Sequence, residues 1–83
     1  MSQKAATASW IEKIPGMCGG RACIRGMRIP VWQLVNWKRL GAADREILDM
    51  IDGLTSADLE VAWDYYGKNR AEIDHDIDEN ERA

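Results

Sequence analysis

The residues best suited to chemistry lie between Cys18 and Pro30. Arg21, Arg25 and Arg28 are interleaved there with Gly19, Gly20 and Gly26, and with Cys18 and Cys23. Guanidinium groups are planar, permanently charged forks that pair bidentately with carboxylates or phosphates. Glycines let the backbone take positive φ or approach a partner closely. The two thiols raise the question of a metal or redox pair. A structural metal site takes about four ligands, and the only other soft ligand, His75, is distant in sequence. Two buried or half-buried thiols with a packing role are the expectation, with no metal and no cofactor.

Other catalytic arrangements fail on spacing. Ser2, Ser9 and Ser56 have no neighbouring histidine. Asp74, Asp76 and Asp78 open like a calcium loop, but Glu79 stands where the turn glycine belongs and the closing glutamate is missing. Gly19-Gly20-Arg21 lacks the Lys-Ser or Lys-Thr of a phosphate loop. The chain reads as a binding protein and not as an enzyme.

The charge is divided along the chain. Residues 1–41 carry seven basic side chains against Glu12 alone, and residues 42–83 carry four against thirteen acids. Arg21, Arg25, Arg28, Lys38 and Arg39 are therefore the candidate contacts for an acidic partner or for DNA. They are equally candidates for a solvated face, or for pairing with the chain's own acids within one subunit or across a dimer. At 83 residues the chain is one domain near the lower size limit for independent stability. No apolar run reaches the roughly 18 residues of a membrane span, and residues 1–8 lack the apolar core of a secretory signal. The expected location is cytoplasmic.

The elements that must position these side chains follow from periodicity. Residues 1–9 are small and polar and read as a disordered terminus. Trp10–Ile14 reads as a short strand stopped by Pro15-Gly16. Arg25-Gly26 reads as a two-residue hairpin turn between Ala22–Ile24 and Met27–Ile29. A lone hairpin is marginal in water, so a second copy of the strands is the expected partner, giving a homodimer. Pro30 opens a first helix that ends at Gly41, with Val31, Leu34 and Val35 on its apolar side. A second helix starts near Asp44 with Ile47, Leu48, Met50 and Ile51 as its apolar side. A third starts at Thr55–Asp58, close to a capping box, with Leu59, Ala62, Trp63 and Tyr66 inward. Asp58, Glu60, Val61, Asp64 and Tyr65 then face out, an acidic face unsuited to reading a major groove. Ile73 and Ile77 leave room for a short fourth helix ahead of an acidic tail.

The fold expected is mainly α: a three- to four-helix, homeodomain-like (helix-turn-helix) bundle preceded by a short N-terminal β-hairpin or strands. It occupies residues 10–74, between the terminal residues 1–9 and an acidic tail at 75–83.

Cys18-Gly19-Gly20-Arg21-Ala22-Cys23-Ile24-Arg25-Gly26-Met27-Arg28-Ile29-Pro30-Val31 is followed by Leu40-Gly41-Ala42, Glu46-Ile47-Leu48, Gly53-Leu54-Thr55, Asp58-Leu59 and Ala62-Trp63-Asp64-Tyr65-Tyr66. This order resembles the bacterial domain-of-unknown-function 433 family, from about Ile11 to Asp74. Ala22 stands where that family usually has proline, Met27 where it usually has threonine, and Ala43 where it usually has a capping residue. The resemblance implies a homeodomain-like domain akin to antitoxins of the VapB type. Such a protein binds and neutralises a PIN-like ribonuclease toxin and also represses its own operon by contacting operator DNA through the basic half. The alternatives are a DNA-binding transcriptional regulator without a toxin, and a structural dimerisation module.

Overall fold

The protein is described from a computed structural model over residues 10–82; the expected disordered terminus at 1–9 and Ala83 of the expected tail lie outside the described residues. Three strands of two residues each lead into four helices. The strands are β1 (Ile11–Glu12), β2 (Cys23–Ile24) and β3 (Ile29–Pro30). The helices are α1 (Val31–Arg39), α2 (Asp44–Met50), α3 (Ser56–Lys68) and α4 (Arg70–Arg82).

The sheet is antiparallel in the order β1-β2-β3, with Ile24 opposite Ile11 on one side and Ile29 on the other. The strand that completes the hairpin thus comes from the same chain. The marginal stability that pointed to a second copy is relieved within one subunit. The connection between β2 and β3 is also longer than the two residues expected. Residues 25–28 form it, because Ile24 pairs with Ile29 and not with Met27. The Met27 amide donates to the Ile24 carbonyl at 3.1 Å, and Gly26 takes φ +74° at the third position of that turn. A type II turn needs positive φ there.

Pro30 stands one residue earlier than expected: it caps α1 in extended conformation and Val31 begins the helix. The Val31 amide is satisfied by the Ala22 carbonyl at 2.9 Å, which ties the helix start to the strand. Val31, Leu34 and Val35 are buried, and the helix ends at Leu40 before Gly41 at φ +104°.

In α2 the cap is Ala43, and Asp44 is the first helical residue. Alanine has no side-chain acceptor, so half of a capping box remains: Glu46 Oε1 accepts from the Ala43 amide at 2.7 Å. Of the expected apolar side, Ile47 is fully buried, whereas Met50 is 54% exposed. Leu48 and Ile51 are partly buried against the core, so of the four only Met50 turns to solvent.

The reciprocal cap of α3 is complete. Thr55 Oγ1 accepts from the Asp58 amide at 3.2 Å and Asp58 Oδ2 accepts from the Thr55 amide at 2.9 Å. Asp58 nevertheless does not face solvent as expected. It is 8% exposed, and its other oxygen accepts from the Trp10 indole at 2.8 Å. Tyr65 is also drawn inward, donating to both oxygens of Glu72 at 2.9 and 3.1 Å. Trp63 and Tyr66 are partly buried, and Tyr66 donates to Asp74 at 2.8 Å.

Residues 75–82, expected to be a tail, continue α4. Ile73 and Ile77 are buried one helical turn apart, and α4 packs against α1 and α3. They complete one core with Ala22, Ile24, Val31, Leu34, Val35, Ile47, Leu54, Leu59 and Ala62. Each isoleucine contributes about 1.5–3 kcal/mol of burial, so the acidic segment is part of what holds the domain together.

Candidate functional site

The loop that leads to Arg21 is built from left-handed residues. Pro15-Gly16 forms a turn closed by the Met17 amide on the Ile14 carbonyl at 2.9 Å, with Gly16 at φ +86°. A short 3₁₀ turn follows over Cys18–Gly20, closed by Gly20 N–H to Met17 O at 2.9 Å and Arg21 N–H to Cys18 O at 3.1 Å. Gly19 takes φ +66°, a backbone conformation that favours glycine, and the Arg21 guanidinium occupies the space a Cβ there would take.

Arg21 is directed into its own chain. Its terminal nitrogen donates to Glu79 Oε1 at 2.8 Å, and its Nε lies 3.5 Å from Asp76 Oδ1, buried and without a hydrogen-bond partner. The bond from Arg21, with His75 adding to it, holds the Glu79 carboxyl below its ordinary range. Burial pushes the Asp76 carboxyl up despite the attraction of Arg21.

The other candidate cations are dispersed. The Arg25 guanidinium sits 5.8 Å from the centre of the Trp10 ring, and its charge helps to keep Asp58 ionised. Lys38 binds Asp44 at 2.6 Å and lies 5.5 Å from the centre of the Trp63 ring. The Lys38 bond lowers the Asp44 pKa. Arg39 pairs with Asp74 at 3.6 Å, and Lys13 with Glu72 at 3.0 Å. The opposed charges of the two halves thus meet inside one chain, chiefly on α4.

Arg28 is different. It is exposed, takes φ +58°, and has no ion-pair or hydrogen-bond partner among the described residues. It lines an open cavity of about 500 Å³ together with Arg21, Trp32, Asn80 and the Gly16–Gly19 turn. Of the five candidate cations, then, the fold brings Arg21 and Arg28 to one cavity. Arg25 lies with Trp10, and Lys38 and Arg39 stand at the end of α1. Trp32 and Asn80 were not foreseen from the sequence. The position of Trp32 two residues after Pro30 was the available signal, whereas that of Asn80 depends on the docking of α4.

Cys23 is buried and Cys18 half-buried, both as free thiols. Burial, then the hydrogen bond with Cys18, pushes the Cys23 thiol up to about 11. Its Sγ lies 3.8 Å from Met17 Sδ. No group of three or more His, Cys, Asp and Glu residues is placed to hold a metal among the described residues. No helix there is long and apolar enough to cross a membrane.

Comparison with known proteins returns a family and a structure. Residues 11–66 match the model of a family described as "Protein of unknown function (DUF433)". The fold is similar to the crystal structure of a DUF433 member protein from Anabaena variabilis ATCC 29413, with 45% identity and a TM-score of 0.82, covering 92% of this chain and 75% of that one. Comparison with curated proteins returns no match. A match over most of the chain, beginning at β1 and ending near the close of α3, makes this chain a member of the DUF433 family.

Proposed function

We propose that the chain is the antitoxin of a type II toxin–antitoxin pair and silences a PIN-like ribonuclease by direct binding. The antitoxin role comes from the family resemblance; the contact comes from Arg28. The observation that carries the reading is that Arg28, alone of the three loop arginines, is exposed on left-handed backbone with no acidic partner among the described residues. A nuclease that holds a divalent cation with clustered carboxylates presents a site of strong negative potential. A guanidinium on a short loop can pair bidentately with those carboxylates and exclude the metal. The exposed acids of α4, Asp78 and Glu81 among them, would complement a basic RNA-binding groove and speed encounter.

Protein recognition is favoured over DNA recognition because Lys13, Arg21, Lys38 and Arg39 already pair with carboxylates of this chain. Cations already paired with carboxylates neutralise fewer phosphates and so release fewer counterions from a duplex. Autoregulation through operator DNA is a secondary role, and self-association through the strands is part of the same proposal.

Co-expression with the product of the adjacent reading frame tests the reading. The wild-type chain should co-purify with that product and relieve its toxicity, and Arg28→Glu should do neither while keeping its circular dichroism spectrum. If Arg28→Glu protects as well as wild type, Arg28 is not the contact. If the wild-type chain neither binds nor protects, the antitoxin reading is wrong.

A further inference from the structure

The cavity beside Arg28 is larger than a contact with one carboxylate requires. At about 500 Å³ it falls within the range of small-molecule sites, roughly 300–1,000 Å³. Arg21 and Arg28 line it, and no carboxylate among the described residues does. Arg28 is exposed and pairs with no group among the described residues. Arg21 is committed to Glu79 through Nη2, but its Nη1 fills the space beside Gly19 and donates to no group among the described residues. Pro30 and Trp32, the cap and second residue of α1, also line the cavity. No side chain caps that helix and its first turn holds no acid, so the positive end of its dipole adds to the two guanidiniums. A carboxylate offers such a set two oxygens, whereas a phosphate monoester offers three and nearly twice the charge.

The remaining lining suits a flat ring. Trp32 is half-buried, and its indole N–H has no partner among the described residues. The Asn80 amide is fixed on the Asp76 carbonyl at 2.7 Å, which leaves the side-chain oxygen of Asn80 as a free acceptor. An indole is a stacking platform for a nucleobase, and a free amide oxygen accepts from an exocyclic amine. We propose that the cavity lined by Arg21, Arg28, Trp32 and Asn80 is a binding site for a mononucleotide 5′-phosphate. Arg28 and Nη1 of Arg21 hold the phosphate, the base stacks on Trp32, and Asn80 accepts from the base edge. The site needs no nuclease and goes beyond the antitoxin reading. Because Arg28 serves both, a bound nucleotide competes with the carboxylates of a partner for the same guanidinium.

The test is calorimetric titration of the isolated full-length chain with AMP, and separately with adenosine and with inorganic phosphate. One AMP per chain is expected, with Kd of roughly 1 mM or tighter. Adenosine lacks the anion and phosphate lacks the ring, so each should bind at least about tenfold more weakly. Arg28→Asn keeps a residue that tolerates left-handed backbone and removes the free guanidinium; it should weaken AMP binding by at least about tenfold. Trp32→Leu should weaken it by about fivefold or more, the value of one stacked base. Lys68→Ala removes an exposed charge that does not line the cavity and should bind as the wild type does. Each variant is checked for a native circular dichroism spectrum, and the exposed position of Arg28 keeps the test open if Trp32→Leu fails to fold. The proposal is overturned if the wild type binds no AMP, if Arg28→Asn or folded Trp32→Leu binds AMP as the wild type does, or if adenosine or phosphate binds as tightly as AMP. Equal weakening by Lys68→Ala would overturn it too, by showing that net charge alone attracts the nucleotide.

Discussion

Arg21 in the glycine-rich loop and Glu79 near the end of the last helix are joined by a 2.8 Å bond across 58 positions of sequence. That bond ties the basic first half to the acidic second half. It also takes Arg21 out of the set of free cations and leaves Arg28 as the exposed guanidinium on their shared cavity.

The bond has a pH signature. Because Arg21 holds Glu79 below the ordinary carboxylate range, its contribution is fully present above the unfolded pKa and is lost as pH falls through the folded pKa. Asp76 works in the opposite sense. Burial raises its pKa, so its contribution is present below the unfolded value and lost as pH rises through the folded one. In denaturant titrations across the acid range, Glu79→Gln should flatten the fall in stability at low pH. Asp76→Asn should make that fall steeper.

The buried Asp58 is a second linkage point. Burial pushes its carboxyl up, but the Trp10 indole, the Thr55 amide and hydroxyl, and the charge of Arg25 more than offset this, and its pKa is lowered. Its stabilising contribution is therefore present at neutral pH and lost as pH falls through the folded value. Asp58→Ala removes both the helix cap and the anchor of Trp10, and should destabilise by about 1–3 kcal/mol at neutral pH. Trp10→Phe should cost less in the Asp58→Ala background than in the wild type, as measured by a double-mutant cycle in urea.

The last helix is predicted to be structural. Ile77, inside the segment expected to be a tail, is buried at 2% exposure, and Ile77→Ala should destabilise by about 2–5 kcal/mol. A solvated tail would show under about 0.5 kcal/mol. Thermal unfolding of this single variant separates the two cases.

Much of this fold is written locally. The Thr55–Asp58 cap, the Val31, Leu34 and Val35 face of α1 and the glycine stop at Gly41 are all read from spacing within one element. The four-residue β2–β3 connection was not legible, because register is set by which isoleucines pair across the sheet. Asp58 was assigned to the outward face because helical periodicity cannot see Trp10, 48 positions away. Nor could composition show that Arg21 and Arg39 are committed to α4. Charge counts give the totals, and only tertiary docking decides which cations remain free.

The central claim is that Arg28 is the contact through which this chain silences an acidic-site ribonuclease. The most direct measurement is the RNA-cleavage rate of the purified product of the adjacent reading frame, titrated with wild-type chain and with Arg28→Glu. The account predicts that cleavage falls to background at equimolar wild type and stays unchanged with Arg28→Glu. Equal inhibition by both proteins, or none by the wild type, would contradict it.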